Sequence, residues 1–208
     1  EESSNKKEVT LPRPGHADLA GALKHGFRDC RRVLERTSAR ETAGRVAAGG
    51  LSRTLLNQFG IRIVSRVTSI GGSGASQNLE PDEWNRLADE SPVRATDRKA
   101  EEEMVEEIER AKKTGYSLGG RFEVLALGVP PGLGSYSSPE KKLDAKIGSG
   151  FMSIPAIKSV EIGRGKDVGS MKGSEVHDEI FHDNEAGFYR ASNNAGGIEG
   201  GVSNGESI

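Results

Sequence analysis

The sequence predicts an α+β fold in which helices and strands follow one another without strict alternation. Apolar residues recur at helical spacing in four segments and alternate with polar residues in others, giving the order helix, helix, strand, helix, strand, helix, strand and hairpin. The 28 glycines among 208 residues indicate many tight turns. Because helices do not separate the strands regularly, a doubly wound parallel sheet is not expected.

Two helices are predicted after an irregular start over residues 1–10. The first runs from Asp18 to about Arg32, and its apolar face is formed by Leu19, Ala22, Leu23 and Phe27. The second starts at Ser38 and ends at Gly60, and its expected buried stripe consists of Ala43, Ala47, Leu51 and Leu55. Ser38 and Glu41 have the spacing of a capping box, in which each side chain accepts a backbone N–H bond.

Residues 61–70 are predicted to form a half-buried strand. Apolar and basic residues alternate there, with Ile61, Ile63 and Val67 on one face and Arg62 and Arg66 on the other. Glycines and prolines then mark residues 71–96 as an irregular connection.

The second half of the chain begins with a charged amphipathic helix over 97–113, which Gly115 ends. Met104, Ile108 and Ala111 form its inner face, and its glutamates are expected to be solvated. The remaining predicted elements are a strand over 121–129, a helix over about 139–150, a strand over 157–162, a hairpin over 175–192 turning at Asp183-Asn184, and a glycine-rich tail.

Composition restricts the kind of partner and compartment. The chain has 29 basic and 31 acidic residues, so its net charge does not favour nucleic acid or an acidic membrane surface. We find no run of about 18 apolar residues and no signal peptide, and we therefore expect a soluble, cytoplasmic protein. Cys30 is the single cysteine and excludes an internal disulfide. It lies among arginines that would favour a reactive thiolate, although a lone helical cysteine is also typical of packing.

The segment Arg13-Pro14-Gly15-His16-Ala17-Asp18 places a histidine between a Pro-Gly turn and a helix start. An imidazole near a helix N-terminus is biased toward its neutral form and remains able to exchange a proton with a bound group. His16 is therefore a candidate acid–base residue. The alternative is that His16 caps the helix or bonds Asp18.

A second segment, Arg36-Thr37-Ser38-Ala39-Arg40, carries cations and hydroxyls to another helix start. Guanidinium groups bind carboxylate and phosphate oxygens through paired hydrogen bonds, which makes Arg13, Arg36 and Arg40 candidate anion ligands. Thr37 and Ser38 are expected as helix caps. The same helix start also offers free N–H groups to an anion.

The remaining motifs are weaker evidence for a functional site. The glycines at 132–134 and 196–201 would admit close approach of a flat cofactor, or they form ordinary turns. The spacing of His177-Asp178 and His182-Asp183 matches no zinc pattern, so no metal is expected. The chain also lacks a Rossmann fingerprint, a G-x-S-x-G elbow and a Walker A motif, which removes support for those enzyme classes.

Taken in order, these motifs resemble the chorismate synthase family, and the matching segments span nearly the whole chain. Individually they are weak, but the ordered set is highly specific. Besides 13–18 and 35–42, the matching segments are Arg45-Val46-Ala47-Ala48-Gly49, Gly132-Leu133-Gly134, Leu143-Asp144-Ala145, residues 152–158, Val160-Glu161-Ile162-Gly163, His177-Asp178-Glu179, residues 196–201 and Ser203-Asn204-Gly205.

The resemblance implies a lyase of the shikimate pathway for aromatic amino acid biosynthesis. Such an enzyme converts 5-enolpyruvylshikimate 3-phosphate to chorismate by anti-1,4-elimination and requires reduced FMN. The resemblance also implies a link to NADP, a homotetramer, and a β-α-β sandwich of antiparallel sheets around helices, of which this chain would form one partial domain over 1–208.

By the same resemblance, His16 matches the catalytic acid–base histidine near the flavin. The implied substrate-binding residues are Arg13, Arg40 and Ser38. The implied cofactor-binding residues are Arg36, Thr37, Ser38, Pro155, Ala156 and Gly200.

The chain also departs from the family pattern. Lys24-His25-Gly26 stands where many members have Lys-Tyr-Gly, and Gly165-Lys166-Asp167 where Gly-Phe is usual. The amino-terminal Gly-Glu-Ser-His-Gly-type motif with a second catalytic histidine and the later Lys-Pro flavin segment do not occur in the sequence. We therefore expect an incomplete fragment that does not turn over substrate alone. The alternative function is a non-catalytic flavin- or phosphate-binding module.

Overall fold

The computed structural model describes residues 8–74, 79–185 and 187–208. The chain divides into two compact units. Unit 1 comprises the described part of residues 1–52 together with 150–159, and unit 2 comprises the described part of 53–149 and 160–208. Residues 8–10 lack regular structure, and the rest of the predicted irregular start lies outside the described residues. The single domain over 1–208 stays a prediction.

Unit 1 contains two short helices where one was predicted. Helix α1 spans Asp18–His25 and helix α2 spans Arg31–Arg36. The prediction of a single helix from Asp18 to Arg32 is wrong, because Gly26 adopts a φ of 66° and ends α1 in a left-handed cap. Phe27 N–H donates to the Ala22 carbonyl across this cap at 2.9 Å.

The core of unit 1 joins these two helices. Ala22, Cys30 and Val33 are buried together, and two partly buried residues, Val9 and Phe27, pack against them. The predicted apolar face of the first helix is partly wrong, since Leu19 and Leu23 are 55% and 74% exposed. Cys30 is a buried free thiol in this cluster, which agrees with the packing interpretation.

A 3₁₀ turn over Ala39–Glu41 leads into helix α3 over Thr42–Gln58. The helix is where the sequence predicts it, but the expected buried stripe is wrong, because α3 has no buried residue. Leu51 and Leu55 are 77% and 60% exposed. Hydrophobic periodicity identifies the apolar face of a helix, whereas burial also requires a neighbour that packs on it.

Unit 2 is built on an antiparallel pair. Strand β1 spans Arg62–Ile70 and strand β2 spans Gly120–Leu127, paired from Arg62 opposite Leu127 to Ile70 opposite Gly120, with a register shift between Val67 and Ser69. Helix α4 spans Pro81–Glu90 and helix α5 spans Arg98–Thr114. Both helices pack against β1. Met104 of α5 is fully buried with Ala95 and Ala100, as expected for the inner face.

Helix α4 corrects the prediction of an irregular connection over 71–96. Residues 75–78 of that segment lie outside the described residues. Pro81 occupies the first turn of α4, and Asp82 and Glu83 follow it there. A proline at the first helical position and acids in the first turn are helix-start signals, so the sequence did contain the information.

The side chain of Asn85 on α4 covers the outer edge of β1. Its amide oxygen accepts the Ser65 N–H at 3.1 Å, and its amide nitrogen donates to the Ile63 carbonyl at 3.2 Å. Two residues further along β1, the Val67 N–H donates to the Arg94 carbonyl at 3.0 Å. Backbone groups of an edge strand would otherwise be open to pairing with another chain, and these contacts satisfy them.

Later elements are short. They are 3₁₀ turns over Pro139–Lys141 and Gly165–Ser170, helix α6 over Leu143–Met152, helix α7 over Gly173–Val176, strands β3 over Ile180–Asp183 and β4 over Gly187–Arg190, and strands β5 over Ile198–Glu199 and β6 over Val202–Ser203. The predicted hairpin is present as β3–β4, with its turn beginning at Asn184. Because all named strand pairs are antiparallel, the α+β class is confirmed.

The predicted strand over 157–162 is wrong. These residues have no regular secondary structure in the described chain. The segment passes from unit 1 to unit 2 after Ser159. The next turn is fixed by backbone contacts, with Arg164 N–H donating to the Asn194 carbonyl at 2.9 Å. Apolar spacing alone does not make a strand when no partner strand completes a ladder.

Candidate functional site

Residues Arg13 to His16 form a tight turn before α1. The Arg13 carbonyl accepts the His16 N–H at 3.4 Å, and Gly15 has a φ of 74°. Proline followed by a residue with positive φ at the two central positions is typical of a type II turn. The turn therefore follows directly from the Pro14-Gly15 pair.

Asp18 locks this turn from the first residue of α1. Its side chain is 0% exposed and accepts three bonds from Arg13: from Nε at 2.8 Å, from Nη2 at 3.1 Å and from the backbone N–H at 3.1 Å. The Arg13 side-chain and backbone hydrogen bonds lower the pKa of Asp18 to about 2. Sequence reasoning did not assign Asp18 a site role.

The ion pair changes what Arg13 offers to a ligand. Its Nε–Nη2 edge is engaged by Asp18, and hydrogen bonding to Asp18 raises the pKa of the guanidinium. A guanidinium has five N–H donors, and among the described residues the Nη1 end of Arg13 has no hydrogen-bond partner, so it can bind an anion. The Arg13 side chain is 45% exposed, which leaves that end accessible.

His16 is exposed on the same turn. Its Nδ1 lies 3.0 Å from the Pro14 carbonyl oxygen. His16 makes neither of the two contacts expected in the alternative interpretation, which were a helix cap and a bond to Asp18. The N-cap of α1 is Ala17, with no side-chain cap bond, and Asp18 is engaged by Arg13.

The second predicted segment forms the start of α3. Ser38 caps the 3₁₀ turn, where its Oγ accepts the Arg40 N–H at 3.4 Å. Thr37 is not a cap of this helix, because its hydroxyl donates back to the Val33 carbonyl of α2 at 3.0 Å. The capping-box prediction is wrong for Glu41, whose carboxylate accepts a bond from Arg45 at 2.6 Å.

Arg36 and Arg40 are exposed on either side of Ser38. Within residues 8–74, 79–185 and 187–208, neither guanidinium has a carboxylate partner within 4.0 Å. Two cations without acidic partners beside a helix start attract an anion. Residues 36–40, which we call the cationic turn, are therefore the candidate anion-binding segment of unit 1.

Arg45 connects the start of α3 to the segment that contains Pro155 and Ala156. Its Nη1 donates to Ser153 Oγ at 2.9 Å and its Nη2 donates to the Ser153 carbonyl at 3.0 Å, while Nε bonds Glu41. Pro155 is half-buried, and Ala156 is exposed with a φ of 70°. This linking role was missed, because only the fold shows that residues 45 and 153 are neighbours.

Replacing Arg45 by alanine is expected to loosen residues 153–157. Loss of the charged bonds to Ser153 costs about 1–2 kcal/mol locally, so the amides of Ile154 and Ile157 should exchange hydrogen about 5- to 30-fold faster. Mass spectrometry or NMR of the deuterated chain measures this. Arg53→Ala, on the same helix, is the control and should leave these amides unchanged. Equal exchange in the two variants would contradict the linking role.

The Arg13–Asp18 pair also predicts a pH dependence. Because the pKa of Asp18 is lowered to about 2 from about 3.9 in the unfolded chain, the pair contributes fully above pH 4 and is lost as pH falls through 2. We expect Asp18→Asn to lower the thermal midpoint of the chain at pH 6. The difference from the unmodified chain should disappear near pH 2. A constant difference by circular dichroism at both pH values would contradict the pair's role.

Gly200 belongs to unit 2, whereas the other predicted site residues belong to unit 1. It lies with Gly201 in the turn between β5 and β6, at a φ of 60°. A Cβ on Gly200 would meet nothing within 4 Å. A Cβ on Gly201, whose φ is 93°, would meet the backbone carbonyl oxygen of Ser135 at 2.8 Å. Gly201 is therefore required for packing, whereas Gly200 leaves open space for a ligand.

Asp178 holds the turn that follows β4. Its carboxylate accepts bonds from Ser192 Oγ at 2.6 Å and from the backbone N–H groups of Asn194 and Ala195 at 2.8 and 2.9 Å. Partial burial acts to raise the pKa of Asp178, but these bonds outweigh it and the pKa is lowered. In the described part of the chain no three His, Cys, Asp or Glu side chains are grouped to hold a metal.

Crossing a bilayer as a helix takes about 20 consecutive apolar residues. None of the helices in the described ranges is long and apolar enough to do so.

The fold and the cationic turn together define an α+β protein with two exposed arginines that have no carboxylate partner among the described residues. The family model described as chorismate synthase matches residues 1–208. The chorismate synthase of Alkaliphilus metalliredigens is 55% identical over 203 residues, covering 98% of this chain and 53% of that protein. That of Desulforudis audaxviator is 54% identical over 209 residues, covering 100% of this chain and 54% of that protein.

A solved structure described as "Crystal Structure of Chorismate Synthase" has a TM-score of 0.87 and 44% identity, and the match covers 92% of this chain and 60% of that one. The chain therefore belongs to the chorismate synthase family. It spans about half the length of the curated relatives it matches.

Proposed function

We propose that this chain supplies part of the active site of a chorismate synthase, a carbon–oxygen lyase that acts on a phosphate ester. The observation that carries the proposal is the cationic turn of residues 36–40, whose two arginines have no carboxylate partner in the described chain. It lies in a chain that matches the family model along its length. A site for a phosphorylated, dicarboxylated substrate needs such uncompensated cations.

The substrate is 5-enolpyruvylshikimate 3-phosphate. In the elimination, the bond between the ring carbon and the phosphate oxygen breaks, a ring C–H bond breaks, and a second ring double bond forms while phosphate and a proton leave. Arg40 and the Nη1 end of Arg13 bind the anionic groups and stabilise charge on the departing phosphate. Ser38 contributes its hydroxyl, and the Arg13–Asp18 pair keeps Arg13 in one orientation.

The cofactor is reduced FMN, and the residues present fit its anionic and flat parts. Arg36 offers an exposed guanidinium without an acidic partner in the described ranges, and Gly200 leaves open space where a Cβ would stand. The cofactor-binding residues are Arg36, Thr37, Ser38, Pro155, Ala156 and Gly200. When bound, reduced FMN supplies transient electron donation that assists loss of the phosphate and the proton.

His16 is the acid–base residue of this half of the site. It stands on a turn fixed by Asp18 and is exposed to a ligand. Its protonated form gives a proton to the group bound beside it, and its neutral form takes one back.

Membership of the family supports further proposals on assembly and cellular setting. We propose a homotetramer in the cytoplasm, within the shikimate pathway, with no nucleic acid or membrane partner. The reduced form of NADP, NADPH, is the proposed ultimate source of electrons for the flavin.

An anaerobic titration of the 208-residue chain with reduced FMN tests the binding half of the proposal. Replacing Arg36 by alanine should weaken binding about ten-fold or more, because a charged hydrogen bond contributes about 1.5–3 kcal/mol. Arg98→Ala is the control, since Arg98 is 92% exposed on α5 and its ion pair there is the i,i+4 contact with Glu102. Equal affinity in the two variants, or no binding by the unmodified chain, would refute the proposal. Binding to a chain that supports no elimination in any context would identify a flavin-binding module.

A further inference from the structure

The turn that presents His16 also determines which ring nitrogen carries its proton. Nδ1 lies 3.0 Å from the Pro14 carbonyl oxygen. A carbonyl oxygen accepts hydrogen bonds and has none to give, so Nδ1 is the donor in this contact. Neutral His16 is then protonated on Nδ1 and bears its lone pair on Nε2. Only the imidazolium form has an N–H at Nε2.

The Pro14 carbonyl is itself held in place. It belongs to the peptide between Pro14 and Gly15, in the middle of the turn that Arg13 opens. Asp18 binds Arg13 both through its side chain and through its backbone N–H. Because Asp18 is 0% exposed at the start of α1, it ties the first residue of the turn to the helix. Arg13 cannot move without breaking three hydrogen bonds.

Each of these contacts depends on the one before it, from helix α1 to the imidazole of His16. Asp18 fixes Arg13, the fixed turn aims the Pro14 carbonyl, and that carbonyl holds the Nδ1 proton of His16. Partners that hold one ring nitrogen set the tautomer and leave the other nitrogen for chemistry. The lowered pKa of Asp18 keeps its carboxylate charged below the range where an ordinary aspartate is protonated, so this support persists in mildly acidic as well as neutral solution.

We infer that Asp18 is the positioning residue of His16, and that His16 exchanges its proton at Nε2 while Nδ1 keeps its proton on the Pro14 carbonyl. The identity of the proton acceptor rests on the proposed function, whereas the tautomer does not. In the proposed reaction, the imidazolium gives up the Nε2 proton. The product is the neutral Nδ1–H tautomer, which the Pro14 carbonyl already stabilises.

Nitrogen-15 NMR of the histidine-labelled 208-residue chain tests the inference. Protonated and unprotonated ring nitrogens have well separated shifts, and His16→Gln identifies which of the four histidines gives each signal. When the imidazole of His16 is neutral, we expect a protonated Nδ1 and an unprotonated Nε2. A dominant Nε2–H tautomer in the unmodified chain would overturn the inference without any need for a variant.

The role of Asp18 is tested with Asp18→Asn and a matched control, Glu35→Gln. Glu35 is exposed on α2 in the same unit, so the control makes the same kind of change away from the turn. Asp18→Asn should move both His16 nitrogen shifts toward the values of exchanging tautomers, and Glu35→Gln should leave them in place. Asp18→Glu keeps the charge and should restore part of the Nδ1–H preference, which separates positioning from a general loss of structure.

Unchanged His16 shifts in Asp18→Asn would overturn the positioning role. The same samples titrated with reduced FMN report separately on the proposed function. Failure to bind flavin with the Nδ1–H tautomer present would reject the function and retain the inference. Flavin binding with a dominant Nε2–H tautomer would support the proposed function and reject the inference.

Discussion

Replacing His16 by alanine is expected to lower the rate of chorismate formation about 100- to 10,000-fold, the contribution typical of a positioned acid–base side chain. The assay needs a complete site, so we specify a chimera. The 208 residues of this chain replace the matched segment of the Alkaliphilus metalliredigens enzyme, which is 55% identical over 203 residues. Chorismate and phosphate are measured anaerobically with reduced FMN and 5-enolpyruvylshikimate 3-phosphate.

A second variant separates proton transfer from support of the turn. His16→Asn keeps an N–H donor that reaches toward the Pro14 carbonyl but has no proton to exchange at neutral pH. We expect it to lose kcat as severely as His16→Ala while its affinity for reduced FMN stays within a few-fold of the unmodified chimera. The control is His182→Ala, which removes an exposed imidazole from β3 in unit 2.

If His16→Asn retained kcat within ten-fold, His16 would not be the proton-transfer residue. If both variants instead lost affinity for flavin with an unchanged kcat, His16 would serve binding. An inactive unmodified chimera would reject the proposal that these 208 residues carry a competent half of the site. Each of these results is separate from the tautomer measured on the isolated chain.

Secondary-structure elements were predicted well where their local sequence signals agreed with one another. Strand β1 and helix α5 follow their predicted bounds within a residue or two, because periodicity, caps and the stop at Gly115 agree there. The first helix was overextended because its apolar spacing continues past Gly26, whose left-handed conformation ends α1. Helix α4 was missed because glycines and prolines were weighted above the helix-start signal at Pro81.

Burial was harder to predict than secondary structure. The apolar stripe of α3 is real in the sequence yet exposed in the structure, because periodicity does not supply a packing neighbour. Arg66 shows the opposite error. It was placed on the basic face of a half-buried strand and is only 6% exposed. Its burial depends on Trp84 and Glu123, which are distant in sequence, and no local pattern indicates that three-dimensional contact.

The sequence motifs predicted which residues belong to the candidate site, but they did not predict which residues those side chains contact. The turn at His16 and the cap at Ser38 are where the sequence placed them. The ion pair that engages Arg13 and the link from Arg45 to Ser153 required the folded chain, because each is a choice among several possible partners. An arginine in a motif is equally suited to a ligand or to a neighbouring carboxylate, and only geometry decides between them.

The largest stability effect is expected at Trp84, on the helix α4 that the sequence analysis missed. Its side chain is 5% exposed, and its indole N–H donates to the Leu79 carbonyl at 3.2 Å. The Arg66 guanidinium lies over the ring at 4.0 Å from its centroid, and its Nε donates to Glu123 at 2.9 Å. The ring therefore both fills the interface between α4 and β1 and screens a buried cation.

Trp84→Ala should reduce the free energy of unfolding by about 3–5 kcal/mol, because it leaves a cavity and removes the aromatic face beneath Arg66. Urea titration followed by circular dichroism measures this, since Trp84 is the single tryptophan and its fluorescence is lost in the variant. Trp84→Phe keeps an aromatic face and should cost less than half as much. Tyr116→Ala, at a side chain 76% exposed, is the control and should change stability by about 0.5 kcal/mol or less. A loss at Trp84→Ala no larger than at Tyr116→Ala would mean that α4 does not contribute to the stability of unit 2, and the stacked arrangement of Trp84 and Arg66 would then have to be rejected.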